Sequence, residues 1–206
     1  MYSQNNEEEI ILKKFGDKVG TFLDIGAYDG VNLSNTRRLA ELGWNGVLVE
    51  GSSFNFGKLF HQYKSNSKMT LINSMVAYQD EVPERVVKMW ESPNSAISTM
   101  EKQNYEKWKV AVTYYNPEPF YEMFVSVSSL REILNVCKSK HPIIDFVNID
   151  VEGTSTDIGL KFDPDEFQTS MVCIEHDGRV QELMDYYSSK GFVLNGMNAE
   201  NLIFSR

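Results

Sequence analysis

Hydrophobic positions along the chain fall into short unbroken runs separated by amphipathic stretches. The runs TFLDIG, GVLVE, MTLINS, PIIDFVNID and MVCIEHDG are predominantly apolar, as strands covered on both faces are. Between them lie helical patterns. Ile10, Ile11 and Phe15 follow an acidic run and predict a helix over Glu7 to Phe15. Asn35 to Gly43 predicts a second, closed by a glycine at its end, and Ser53 to Tyr63 a third. Leu130, Ile133, Leu134 and Cys137 recur with helical spacing, and Ser128 or Ser129 can cap that helix. Val180 to Lys190 predicts another, stopped by Gly191, and FVLN and NLIFSR read as two last strands with a turn between. Arg85 to Trp90 looks like a strand and ESPNSAISTM like a loop, while NYEKWKVAVTYYNPEPF is aromatic and fits no clear period. This alternation predicts an α/β fold: a mostly parallel sheet with helices on both faces and an antiparallel pair at one edge. Residues 1–206 read as one domain, with Pro83 to Phe120 as a lid or acceptor-binding insertion.

Composition narrows the function classes. A chain of 206 residues with 42% hydrophobic and 24% charged side chains can bury one full core. Its 20 basic and 29 acidic side chains leave a net charge of −9, which disfavours a nucleic-acid partner, because phosphates demand Lys and Arg. Cys137 and Cys173 lie far apart in apolar runs and read as buried thiols of a reducing compartment. No apolar run approaches a membrane span of about 18 residues, and the acidic N-terminus lacks a secretory pattern. The expected location is the cytoplasm.

In parallel sheets, ligands bind outside the carboxyl ends of the strands. Four of the five predicted strand ends carry an acid: Asp24, Glu50, Asp150 with Glu152, and Glu175 beside His176 and Asp177. The first strand runs into Gly26-Ala27-Tyr28-Asp29-Gly30, one glycine short of the dinucleotide fingerprint. Glu50 follows Gly26 at a distance suited to an acid that accepts both ribose hydroxyls, and Asp24 can bind an ammonium or orient the loop. Pyrophosphate prefers bare amides and positive charge. An acidic rim instead suits a ligand with a ribose, an amino-acid end and a positive centre, favouring S-adenosyl-L-methionine over NAD. Taken singly, the glycines make a turn, Glu50 is a solvated strand end, the acids before Gly153 belong to a turn, and His176 is a structural histidine. Their joint order carries the cofactor reading.

The blocks GTFLDIGAYDGVNLSNTRRLAELGWNGVLVEGS, SAIST, VSVSSLREIL, IDFVNIDVEG, VCIEH and ENLIFSR resemble successive blocks of the FkbM-type methyltransferases, over essentially the whole chain from Tyr2 to Arg206. The resemblance implies a class I methyltransferase (Rossmann-like) fold with a seven-stranded sheet. It implies that Asp24, Gly26, Ala27, Tyr28, Gly30 and Glu50 line a site for S-adenosyl-L-methionine, with Ser52, Ser74 and Asp150 beside them. It also implies O-methylation of a hydroxyl, often on a sugar. Three features depart from the family pattern. Gly51 follows Glu50 where the family often has proline, Ser128 stands where an acid is usual, and Tyr105 to Phe120 follows no family pattern and is expected to meet the acceptor.

A sugar hydroxyl needs a base, or a metal that lowers its pKa. Asp150, Glu175 and His176 are the candidates. In one version His176 takes the proton and a carboxylate orients it; in the other Asp150 and Glu175 hold Mg2+. Tyr105, Trp108, Tyr114 and Tyr115 are candidates to stack on a sugar or to pack a lid. The rivals are a cofactor-binding protein without catalysis, a methyltransferase for a non-sugar small molecule, and an NAD-dependent oxidoreductase.

Overall fold

The computed structural model describes residues 1–92, 96, 98–100, 102–115 and 120–206, the side chains of 104 and 110–115 excepted. The main sheet is built from β1 (Thr21–Ile25), β2 (Asn45–Glu50), β3 (Met69–Asn73), β7 (Phe146–Ile149), β8 (Met171–Glu175), β9 (Val193–Met197) and β10 (Asn201–Ser205). Its order is β3-β2-β1-β7-β8-β10-β9, and β10 runs antiparallel to both its neighbours. The expected seven-stranded, mostly parallel sheet with an antiparallel C-terminal pair is therefore found. Strand order reverses at β1, which pairs with β2 on one side and β7 on the other. The carboxyl ends of these strands open the crevice where ligands collect in such sheets.

Alternation along the strands explains why helices cover both faces. Phe22, Leu48, Phe146, Cys173 and Ile203 point to one side and pack with Ile11 and Phe15 of α1 (Glu7–Phe15), Leu39 of α2 (Arg37–Glu41), and Leu59 and Tyr63 of α3 (Ser53–Tyr63). Leu23, Val47, Val147, Val172 and Leu202 point to the other. There they meet Ile133 and Cys137 of α5 (Leu130–Lys140), Ile158 of α6 (Ser155–Lys161), and Leu183 and Tyr187 of α7 (Val180–Ser189). Both cysteines are buried and unpaired, as expected.

A second, three-stranded sheet of β4 (Met75–Ala77), β6 (Tyr121–Ser129) and β5 (Val86–Glu91) has a small core of its own around Met75, Met89, Val125 and Val127. The sequence pattern omits β6 because residues 121 to 124 are exposed, so the strand lacks a regular buried face. α6 is omitted for a different reason: STDIGLK is short and rich in poor helix formers. The segment that fits no period is largely helix α4 (Lys102–Tyr115). Ser129, not Ser128, caps α5, through a reciprocal pair with Glu132. Among the described residues no helix is long and apolar enough to cross a membrane.

Candidate functional site

The site begins where β1 ends. Gly26 has φ +90°, and a Cβ there would stand 1.6 Å from the carbonyl oxygen of Asp150. Only glycine lets the ends of β1 and β7 approach this closely. The amides of Gly26 and Ala27 both donate to the Val49 carbonyl, at 2.9 and 3.0 Å, which ties the loop to β2. Tyr28 is left-handed, and its N–H donates to the Glu50 carboxylate at 2.8 Å. The other Glu50 oxygen accepts from the Ser52 N–H at 2.7 Å. Burial pushes Glu50 up to about 8 despite these bonds, with Glu91 and Asp24 adding to the rise.

These residues line a cavity of about 640 Å³, within the usual range for a small-molecule site. Asp24, Gly26, Ala27, Tyr28, Glu50, Ser52, Ser74 and Asp150 all reach it. Gly30 does not. Its position faces the side chains of Leu59 and Tyr63, and its carbonyl accepts from the Tyr63 hydroxyl at 3.0 Å, so it shapes the loop from behind. Ser52 caps α3 by accepting from the Asn55 N–H, and its hydroxyl donates to Glu91. Ser74 shares a hydrogen bond with Ser128 at 3.0 Å. Gly51 sits against Met75, whose sulfur would be 1.9 Å from any added Cβ.

Asp24 is buried and hydrogen-bonded through both of its carboxylate oxygens. It accepts from the Thr36 hydroxyl at 2.5 Å and from the Asn148 amide at 2.9 Å, and burial raises its pKa. Asn148 in turn accepts from Asn35, whose own carbonyl oxygen is buried with no hydrogen-bond partner among the described residues. Both asparagines line the cavity, and sequence reading missed them. The available signal was an amide inside the apolar run FVNI, which must find a polar partner when buried.

Beside the Gly26 turn, carboxylate oxygens of Asp150, Glu152 and Glu175 lie within 4.8 Å of one another. Sequence reading brought Asp150 and Glu175 together and treated Glu152 as part of a turn. The Glu175 carboxylate accepts from the Ser155 hydroxyl at 2.7 Å and the Glu152 N–H at 3.2 Å. Burial raises all three pKa values, Glu152 to about 8; the Glu175 charge adds to the rise at Asp150 and Glu152, and the Asp177 charge to that at Glu175. Three half-buried acids this close need protons, a cation or a donor-rich ligand. The backbone is strained here too: non-glycine residues Tyr28, Leu33, Glu152 and Asp177 all have positive φ and all line the cavity.

His176 reaches the cavity, but not as the expected base. Its Nδ1 accepts from the Gly178 N–H at 2.9 Å, which places the proton of the neutral ring on Nε2. On that tautomer Nε2 is a donor, and no hydrogen bond from a carboxylate to the ring is found among the described residues. Of residues 83–120, Met89, Lys107 and Trp108 are among those that line the cavity. Tyr105 does not; it stacks on Trp90 at 4.8 Å and meets Phe120 edge-on at 5.4 Å. The side chains of Tyr114 and Tyr115 lie outside the described residues.

Among solved structures, the FkbM methyltransferase of Methylobacillus flagellatus superposes with a TM-score of 0.57 at 10% identity, over 99% of this chain and 48% of that one. The fold is that of the class I methyltransferases. The present chain spans about half the length of that structure. A Pyrococcus horikoshii protein provisionally described as an RNA methyltransferase aligns with TM-score 0.48 and 13% identity over 98% of this chain and 82% of its own. The METTL16 methyltransferase domain aligns with TM-score 0.46 and 12% identity, covering 97% of this chain and 80% of that domain. No family model and no curated protein matches the sequence.

Proposed function

We propose that the protein is an S-adenosyl-L-methionine-dependent O-methyltransferase acting on a sugar hydroxyl, such as that of a deoxyhexose in a glycan or glycosylated metabolite. One observation carries the reading: a single cavity joins the Gly26 loop and Glu50 to the trio Asp150, Glu152 and Glu175. The first end fits the cofactor. Glu50 is held by two backbone amides with acceptor capacity left for ribose hydroxyls, and the unpartnered Asn35 oxygen suits an ammonium donor. When bound, the cofactor supplies an electrophilic methyl group on a sulfonium.

The protein's own part is to hold the acceptor oxygen and receive its proton. Glu152, with a pKa near 8, is matched to proton transfer around neutral pH, and Glu175 is braced by Ser155 to keep its orientation. His176 contributes an Nε2–H donor to an acceptor oxygen. The trio also fits a hard divalent cation such as Mg2+, since oxygen ligands from three carboxylates satisfy it without further protein groups; Asp150, Glu152 and Glu175 are the residues that would hold it, and it would acidify a bound hydroxyl. The excess of acids supports a second reading, transfer to an amine, because a cationic acceptor relieves the same repulsion. Mass spectrometry of products from labelled cofactor and a panel of deoxyhexose, hexose and amine acceptors tests both. Methylated glycoside supports the proposal, methylated amine alone replaces it with the second reading, and cofactor binding with no transfer to any acceptor leaves a binding protein without catalysis.

A further inference from the structure

The sheet order sets the polar groups of the site in a row. Glu50 ends β2, Gly26 follows β1, Asp150 follows β7 and Glu175 ends β8, on strands that are successive neighbours. β10 comes next and runs antiparallel to β8, with Asn201 opposite Glu175. The turn that leads into β10 therefore lies one strand beyond Glu175, about 5 Å across the sheet. The His176 N–H fixes it there by donating to the Glu200 carbonyl at 2.8 Å. Ala199 and Glu200 of this turn line the cavity and are exposed, so they stand at its opening.

A second element joins this rim, because residues 2–5 are tied down at both ends. At one end the Tyr2 hydroxyl donates to Glu41 of α2 at 2.7 Å, and the Arg37 guanidinium lies 5.7 Å from the centre of the Tyr2 ring. At the other, the side-chain amides of Gln4 and Asn5 donate to the two oxygens of Glu200, at 3.2 and 3.3 Å. The segment is a strap from α2 to the β9–β10 turn, and its Gln4 also lines the cavity. Leu33, in the loop before α2, lines the cavity as well; it is 49% exposed with φ +59°, a conformation unfavourable for leucine. Gln4, Leu33, Ala199 and Glu200 thus present a carboxamide, a carboxylate and apolar surface, with no basic side chain among them.

Those groups suit one class of ligand. A carboxylate has about four acceptor positions, and Glu200 spends two of them on the strap. The Gln4 amide oxygen is a further acceptor. Hydroxyls pair with both, whereas a carboxylate or phosphate on the ligand meets Glu200 as like charge. We propose that the strap and the β9–β10 turn form a subsite for the non-reacting part of a neutral polyhydroxyl acceptor. In it Gln4 and Glu200 hold hydroxyls beside the one that reacts at the acid trio, and so select uncharged sugars over uronic acids. This rests on the sugar-acceptor reading above.

The test is a ligand-observed NMR titration, under saturating S-adenosylhomocysteine, of the methyl glycosides of rhamnose, fucose, mannose and galactose and of methyl glucuronide. The wild type is expected to bind at least one neutral glycoside about tenfold more tightly than the glucuronide. Gln4→Ala and Glu200→Ala are each expected to weaken that glycoside about fivefold or more, the worth of one hydrogen bond. Both positions are exposed, so the variants should fold and bind S-adenosylhomocysteine like the wild type. Glu200→Gln, which keeps an acceptor oxygen without the charge, is expected to narrow the preference over the glucuronide severalfold. A neutral glycoside bound equally well by the wild type and both alanine variants overturns the subsite and leaves the sugar reading standing, as does a preference that Glu200→Gln leaves unchanged. A wild type that binds S-adenosylhomocysteine but none of the glycosides overturns the sugar reading and the subsite with it, while the cofactor reading stands.

Discussion

The Glu50 carboxylate accepts from the backbone N–H of Tyr28 at 2.8 Å, so the acid at the end of one strand fixes the loop that follows its neighbour. The bond does two things at once. It holds Tyr28 in a left-handed conformation that an ordinary side chain resists, and it orients the carboxylate toward the cavity. Removing Glu50 therefore loosens the loop and deletes the acceptor. Glu50→Ala is expected to weaken S-adenosyl-L-methionine binding about tenfold in calorimetry, from the loss of a buried acceptor worth about 1–3 kcal/mol. Its melting temperature should stay close to that of the wild type, because the same change removes a buried acid whose pKa stands near 8. Undiminished affinity would take Glu50 out of the cofactor site.

Two glycines with similar dihedral angles separate backbone strain from close approach. Gly26 has φ +90° with the Asp150 carbonyl 1.6 Å from a built Cβ, while Gly178 has φ +78° with nothing within 4 Å. Gly178→Ala meets only the left-handed penalty of about 1–2 kcal/mol. Gly26→Ala must also push β1 and β7 apart, and is expected to cost more than about 3 kcal/mol and to fail to accumulate as folded protein. Thermal melts of the two variants in parallel decide it; equal losses would mean that the β1–β7 contact relaxes freely.

His176 and Glu175 are adjacent, yet the geometry gives them opposite parts. With Nδ1 accepting from Gly178, the ring offers a proton rather than a lone pair. Asparagine can keep that acceptor, so His176→Asn should reduce kcat by less than about tenfold, whereas loss of a general base costs about a hundredfold or more. Glu175→Gln is expected to show the larger loss. Single-turnover rates under saturating cofactor would expose the reverse ranking, which would restore the histidine as base.

Much of this arrangement was legible in the sequence because buried strands leave unbroken apolar runs, and acids or glycines at their ends are conspicuous against them. The helix over Glu7 to Phe15 and the one over Ser53 to Tyr63 could be read to the residue, since each has an apolar stripe and a clear start. What stayed hidden depends on contacts made across long sequence separations. Gly30 sits in the same loop as Gly26, and only packing against Leu59 and Tyr63, about thirty residues away, turns it from the cavity. The Asn35–Asn148–Asp24 chain joins positions more than a hundred residues apart. The direction of His176 depends on one backbone amide two residues on, which residue type alone does not reveal. β6 escaped notice because its first four residues, though paired with β5, are exposed and leave no apolar alternation.

The acidic trio predicts an unusual dependence of stability on pH. Glu152 titrates near 8 in the folded protein, above the ordinary value of 4.5 to which it returns on unfolding. The folded state therefore binds the proton more tightly, so stability from this group is complete below pH 4.5 and is lost as pH rises through about 8. Asp150 and Glu175 are raised as well and add in the same direction. The unliganded protein should thus lose several degrees in melting temperature between pH 5 and pH 8.5, at about 2–4 °C per kcal/mol for a domain of this size. Glu152→Gln, which cannot ionise, should flatten that slope and melt higher than the wild type at the alkaline end. Millimolar Mg2+ should restore the wild type at pH 8.5 and leave Glu152→Gln nearly unmoved, because a bound cation supplies the charge that the protons supplied before. A wild type whose melting temperature rises steadily across this range would show that the three carboxylates do not repel one another as their spacing implies.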